Sequence, residues 1–220
     1  MNGYPLTLSG AGLLALPCGA LLWPAARLLA VSDLHLGKSR RAALRGGALL
    51  PPYELCDTLA RLGAALEETG ADTVVCLGDS FDDRRAAAEL GTEEAALLSG
   101  LMAGRRWIWV AGNHDPGAGP GGESHDEFRM GGLTFRHVAE PGASGEISGH
   151  YHPKARLGLG RAALSRPCFL ADARRIILPA FGTYTGGLDC RNAAFAGLFG
   201  AGALAVMTGT RARAIPMAAA

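Results

Sequence analysis

A chain of 220 residues with a formal net charge of +1 has no global field to announce a polyanion, so any grip on one must come from a local patch or a metal site. That length favours one compact domain over residues 1–220, with room for a sizeable core. The five cysteines, Cys18, Cys56, Cys76, Cys168 and Cys190, are odd in number and never form Cys-x-x-Cys, which disfavours a disulfide framework and a zinc ribbon and points to a reducing cytoplasm.

Taken in chain order, Leu6 to Leu8 and Leu13 to Leu16 read as opening strands, with a turn at Pro17 to Gly19. The apolar stretch from Gly10 to Val31 is interrupted by Pro17, Gly19, Pro24 and Arg27, and no cationic region precedes it. It therefore reads as two short buried strands joined by a turn, not as a membrane span. Arg27 to Ser32 is a further apolar run that ends at Asp33. After Pro51 and Pro52, Leu55, Leu59, Leu62 and Leu66 recur at helical spacing and Gly70 supplies a stop, so the pattern predicts a helix from Tyr53 to Thr69. Thr73 to Leu77 is an apolar, β-branched strand that runs into Gly78-Asp79. A second helix is predicted from Thr92, as its cap, to Met102, and a strand from Trp107 to Ala111 runs into Gly112-Asn113. This β-α-β-α-β order predicts a parallel sheet. Beyond the Gly/Pro-rich loop from Pro116 to Gly122 the helical signal fades. Short strands are expected at 133–138, 145–148, 155–159, 168–171 and 175–178, and a closing hairpin at 203–207 and 211–215.

Four polar clusters sit directly after apolar strands: Asp33-Leu-His35, Gly78-Asp79-Ser-Phe-Asp82, Gly112-Asn113-His114-Asp115 and Gly149-His150-Tyr-His152. Open sheets bind ligands at the carboxyl ends of their strands, so these clusters should meet at one edge. In extended backbone, residues i and i+2 point the same way, which would aim Asp33 with His35, and His150 with His152, at a shared point. Imidazole, carboxylate and amide donors in one place suit manganese, iron or zinc better than calcium or magnesium. No G-x-x-x-x-G-K-[ST] loop is present to bind phosphate instead.

In this order the clusters resemble the signature of the calcineurin-like metallophosphoesterase family: D-x-H, GD, GNH followed by an acid, a lone histidine, and GH-x-H. The resemblance implies that Asp33, His35 and His152 hold one metal ion, that Asn113, His137 and His150 hold the other, and that Asp79 bridges them. It implies two divalent ions, manganese first with iron or zinc as alternatives, about 3.5–4 Å apart, that acidify a bridging water for in-line displacement at phosphorus. His114 would be the catalytic histidine, stabilising or protonating the leaving oxygen, and Asp115 would orient its ring. The implied fold is an α/β protein, a four-layer α/β/β/α sandwich with two central sheets faced by helices. His137 is placed by order alone and could be an ordinary strand histidine, and His125 in its polar loop reads as solvated. Asp82 and Asp83 could orient a ligand or pair with Arg84, or be solvated loop acids. Lys38, Arg40, Arg41 and Arg45 could grip a second phosphate of a polymer, or form a solvated basic face.

Three further segments, Asp33 to Lys38, Pro167-Cys-Phe169 and Leu178 to Leu188, resemble one bacterial subfamily, the ligase-associated DNA-damage-response endonucleases of the PdeM type. In the last segment Gly182, Gly186 and Gly187 could permit a tight backbone path near the metal edge, or simply a structural turn. That resemblance implies a DNA phosphodiesterase working in repair, in association with an ATP-dependent DNA ligase and a helicase. A nucleotide or small-molecule phosphodiesterase would use the same cage, with the loop from Pro116 to Asp126 as a pocket wall. A non-catalytic interaction module on the same fold is the alternative from another class. A protein phosphatase is disfavoured because Gly78-Asp79-Ser-Phe-Asp82-Asp83-Arg84 lacks the Asp-Arg-Gly ending of that branch.

Overall fold

A computed structural model describes residues 2–44, 46, 50–51, 53–83, 85–115, 119–159 and 162–217. Seven strands form the first sheet: β1 (Tyr4–Leu8), β2 (Ala11–Ala15), β3 (Leu21–Trp23), β4 (Leu28–Val31), β5 (Thr73–Leu77), β6 (Arg106–Val110) and β7 (Glu123–His125). They lie side by side in chain order, β1 to β4 as an antiparallel meander and β4 to β7 parallel. The second sheet contains β8 (Phe128–Met130), β9 (Leu133–Phe135), β10 (Glu146–Ser148), β11 (Lys154–Leu159), β12 (Ala162–Ala171), β13 (Arg175–Ile177), β14 (Leu204–Met207) and β15 (Arg213–Pro216). Its order is β15-β14-β12-β13-β10-β9-β8, with β11 added to β12, and β9, β10 and β13 run parallel. The helices are α1 (Lys38–Leu44), α2 (Glu54–Thr69) and α3 (Thr92–Met102).

The two central sheets of the expected sandwich follow from where the apolar side chains go. In β4, Leu29 and Val31 face α2, where Leu55, Leu59, Leu62 and Leu66 meet Val74, Cys76, Trp107 and Trp109. The alternating residues Leu28 and Ala30 face the other way, into a core shared with Phe135, Ile147, Phe169 and Ile176 of the second sheet. Burial on both faces is why β4, β5 and β6 read as nearly unbroken apolar runs. A third core on the far side of the second sheet lies under Cys190, Phe195 and Leu198. The helical content of that outer layer is one 3-10 turn, Ala193–Phe195, in a run that Gly197 and Gly200 keep from extending.

Several boundaries differ from the sequence pattern. The stretch from Gly10 to Val31 holds three strands, not two, because the three residues of β3 are too few to show a period. β7 and α1 carry mostly polar or small residues and give no apolar stripe to read. Thr92 is the first residue of α3, not its cap: Gly91 takes the cap position, and its N–H donates to Glu94 Oε2 at 2.8 Å. Arg45, Pro52, Arg84 and the start of the 116–126 loop lie outside the described residues. Among the described residues no helix is long and apolar enough to cross a membrane.

Candidate metal centre

Five loops meet at one edge, and each leaves the carboxyl end of a strand that runs parallel to a neighbour in its own sheet. From the first sheet come residues 33–35 after β4, 78–82 after β5 and 112–115 after β6; from the second come residue 137 after β9 and 149–152 after β10. The first two loops run side by side, with Asp33 N–H donating to Gly78 O at 3.2 Å and His35 N–H to Asp79 O at 2.9 Å. The sheets are joined across the site where His150 N–H donates to Asp33 Oδ2 at 2.9 Å.

The expected convergence occurs, but not through extended backbone. Asp33, His35, Asp79, His150 and His152 have φ values of 52°, 46°, 46°, 70° and 47°. These are five of the eight non-glycine residues with positive φ among the described residues. Each such residue costs on the order of 1–2 kcal/mol, so the surrounding packing must hold the loops in place. Part of that hold is close backbone approach. A Cβ on Gly149 would stand 1.6 Å from Ser32 Oγ and 2.6 Å from Asp33 Oδ2, and one on Gly78 would stand 2.5 Å from His137 Nδ1. The glycines before the polar residues are therefore sites of contact between loops.

Two groups of donor atoms result. Asp33, His35 and His152 form one, and Asp79, His137 and His150 the other, with the donor atoms of each group within 4.8 Å of one another. In the first, His152 Nε2 lies 3.1 Å from Asp33 Oδ1 and 3.4 Å from His35 Nε2. In the second, His137 Nε2 lies 3.3 Å from Asp79 Oδ2 and 3.2 Å from His150 Nδ1. Asn113 joins the second group, its side-chain amide 2.9 Å from His150 Nδ1. His137, which the sequence placed by order alone, donates from Nδ1 to Leu77 O at 2.8 Å, leaving the Nε2 lone pair to face Asp79 and His150.

These residues fit divalent cations. Imidazole nitrogens lie nitrogen to nitrogen beside carboxylates, and the buried Asp33 Oδ1 accepts no hydrogen bond. Lone pairs converging on one point call for a positive charge between them, and mixed imidazole and carboxylate donors favour first-row transition metals. Charge across the site agrees. Burial alone would raise the Asp33 pKa, but His152, His137 and Ser32 outweigh it and hold the carboxyl below its ordinary range. Burial would lower His137, yet Asp79 and Asp33 raise it; His150 is pushed down by burial and by His137.

Around the two groups stand residues that fix ring orientation. Ser32 Oγ donates to Asp33 Oδ2 at 2.5 Å, a contact that the sequence reading missed; its adjacency to Asp33 was the only signal. Asp82, left open between two readings, is buried with Oδ1 3.3 Å from His35 Nδ1 and Oδ2 2.9 Å from Arg41 Nη1. Asp83 instead accepts the N–H groups of Arg85 and Ala86. His114 stands at the mouth, with its side chain 42% exposed, its ring 5.6 Å from that of His35 and Nε2 3.9 Å from Asp79 Oδ2.

One expectation needs correction. Asp115 does not hold the His114 ring. Its buried carboxylate accepts Phe81 N–H at 2.9 Å and braces the Asp79 loop from beneath, while burial and the nearby Asp79 push its pKa up. The basic cluster, left open between two readings, is partly tied to neighbouring groups. Arg41 is bound to Asp82, and Arg40 donates to the main-chain Glu89 O at 2.6 Å and lies 3.4 Å from the Glu89 carboxylate. Of the three described members only Lys38 has no ion pair among the described residues. His125 lies on β7, 3.2 Å from Glu123, and is not part of the site. Of the glycines in the 178–188 segment, Gly182 and Gly187 press on Leu34 O and His152 O, where a Cβ would come within 2.1 Å of each, whereas Gly186 has open space around it.

Residues 26–158, which include all five loops, match the family model of the calcineurin-like phosphoesterases. Among solved structures the chain is similar to the crystal structure of Pseudomonas putida nuclease MPE, with a TM-score of 0.74 and 29% identity, over 97% of this chain and 100% of that one. No curated relative matches the sequence.

Proposed function

The chain belongs to the calcineurin-like phosphoesterase family and is a metal-dependent phosphoesterase, and on that premise we propose that it hydrolyses phosphodiester bonds of DNA with two divalent ions, manganese first, in a repair setting. The observation that carries this reading is the pair of facing donor groups, Asp33-His35-His152 and Asp79-His137-His150, with His114 exposed beside them. The full-length likeness to a nuclease favours a nucleic-acid substrate over a free nucleotide.

Bound in that cage, divalent cations would supply Lewis acidity, lowering the pKa of a water and neutralising charge on the phosphoryl oxygens during in-line displacement. The protein's part is positioning. Asp82 sets His35, Leu77 O sets His137, and Ser32 with His150 N–H sets Asp33, so that both donor groups keep their geometry through turnover. Asn113 and Asp79 belong to the second group, beside His150 and His137, and Asp79 is the residue we assign to both ions. His114 holds a proton at Nε2 and delivers it to the leaving oxygen as the P–O bond breaks. Lys38 is the residue left to contact a neighbouring phosphate.

The test is turnover of a single-stranded oligonucleotide, the matching duplex, nucleotide phosphodiesters and bis-(p-nitrophenyl) phosphate, with manganese and with chelator, by wild type, Asp79→Asn and His114→Ala. Metal-dependent DNA cleavage that both variants lose supports the reading. Hydrolysis of the small diesters without DNA cleavage would restrict the chain to small substrates. Turnover that survives chelation, or the loss of His114, would refute the proposed chemistry.

A further inference from the structure

The strap formed by residues 181–187 is anchored on two sides. Toward α2, Arg61 donates to Phe181 O at 2.7 Å and to Thr183 Oγ1 at 3.0 Å, Thr183 Oγ1 donates to Asp57 Oδ2 at 2.5 Å, and Thr183 N–H donates to Thr58 Oγ1 at 3.1 Å. Toward the metal centre, Phe181 N–H donates to Ser32 O at 2.8 Å and Gly182 N–H to Asp33 O at 3.1 Å, while Gly187 presses on His152 O. Between these anchors stands Tyr184, at φ 62°, a conformation that a bulky side chain rarely adopts. Its ring centre lies 5.9 Å from that of Tyr53, with the ring planes at 54°.

Neither tyrosine belongs to any of the three cores, and Tyr53 is 56% exposed. Both are nonetheless at the catalytic edge. Tyr53 stands at the start of α2, in the crossover from β4 to the parallel β5, which puts the helix N-terminus at the carboxyl end of β4, where the Asp33 loop begins. Tyr184 follows Gly182 by two residues, a chain path of at most about 7 Å from the Asp33 contact. An aromatic pair that fills no core, with Tyr53 exposed and Tyr184 half-buried behind it, held rigidly beside a phosphodiester site, matches the way proteins hold unpaired bases. Every base has a π-face, and stacking on an aromatic ring needs no particular sequence.

We propose that Tyr53 and Tyr184 form a stacking platform for a nucleobase next to the scissile phosphate, an inference that rests on the nucleic-acid reading above. The two rings are binding residues, and they act on how the strand is held, not on the bond-breaking step. Lys38, the first residue of α1 and three after His35, would take the adjoining phosphate.

The experiment measures steady-state kinetics of the manganese-loaded full chain on a single-stranded oligonucleotide and on the same strand with abasic sites flanking the cleaved bond. Tyr53→Ala and Tyr184→Ala should each raise KM about tenfold on the intact strand with kcat little changed, in line with the contribution of one stacked base. Tyr53→Phe and Tyr184→Phe should behave as wild type. On the abasic strand, wild type should already show the raised KM and the alanine variants should add nothing. Tyr184→Gly, which removes the ring and suits the positive φ, should reproduce Tyr184→Ala with a wild-type melting temperature and metal content, which separates loss of the ring from loss of the fold. Equal losses on intact and abasic strands, or no loss on either, would overturn the platform and leave the nuclease reading standing. A wild-type chain that hydrolyses small diesters but no DNA would overturn both.

Discussion

Replacing Gly149 by alanine tests whether the metal centre depends on close contact between loops of the two sheets. The new Cβ would stand 1.6 Å from Ser32 Oγ, 2.8 Å from Ser32 Cβ and 2.6 Å from Asp33 Oδ2. Turning the Ser32 hydroxyl away gives up its 2.5 Å bond to Asp33 Oδ2, a charged hydrogen bond worth about 1.5–3 kcal/mol. Rotation does not relieve the Ser32 Cβ contact, so backbone must also shift, at about 1–3 kcal/mol for an overpacked site. The sum is on the order of 2.5–6 kcal/mol, and at about 3 °C per kcal/mol for a chain of this length the melting temperature should fall by roughly 8–18 °C. Gly149 has no positive φ to confuse the result. Gly186→Ala, with nothing within 4 Å and no positive φ, should stay within about 2 °C of wild type. Thermal melts with and without manganese, together with metal content by mass spectrometry, make the comparison. In the double variant Ser32→Ala/Gly149→Ala, the lost clash with Oγ should make the two effects less than additive. A Gly149→Ala protein that melts within about 2 °C of wild type and binds metal equally well would refute the contact argument.

His137→Ala removes the Nε2 that faces Asp79 and His150 but leaves Asp33, His35 and His152 intact, so metal content after dialysis should drop from two ions per chain to one; two retained ions would remove His137 from the cage. Asp82→Asn should weaken metal affinity about 10–100-fold in a calorimetric titration, because the carboxylate orients His35 and is itself held by Arg41; unchanged affinity would make Asp82 a bystander. In the folded protein a thiol reagent should label Cys56 and, more slowly, Cys18, whose thiol burial pushes up. Cys76, Cys168 and Cys190 are buried, and burial pushes their thiols up as well, so labelling of all five before denaturation would contradict the packed cores.

Much of the site was legible because its chemistry is local in sequence. Asp79, Asn113 and the two D-x-H and H-x-H pairs each follow an apolar run, and strands buried on both faces leave no doubt where those runs end. His137 was harder: no neighbour in sequence marks it, and its place depends on Leu77 O, sixty positions away in the chain. The basic cluster was ambiguous for a related reason. Charge in a sequence does not show which acids fold back on it, and Arg40 and Arg41 find Glu89 and Asp82. Asp115 looked like a partner for its neighbour His114, yet adjacent side chains diverge, and its carboxylate meets Phe81 N–H. β7, β8 and α1 escaped because short or polar elements carry no period.

By itself the sequence determined the parallel strands β4, β5 and β6 with α2 and α3 between them, the residue types of the cage and hence the class of chemistry, since unbroken apolar runs and metal-binding side chains are properties of short segments. Only the tertiary structure decided which of those side chains meet. It bent Asp33, His35, Asp79, His150 and His152 into positive φ, turned Asp82 onto His35 and Ser32 onto Asp33, and carried Tyr184 to the edge beside Tyr53. The reason is physical: these contacts join loops from two sheets that share no sequence neighbourhood, and the strain they hold is offset by packing that exists only once both sheets have closed on their common core.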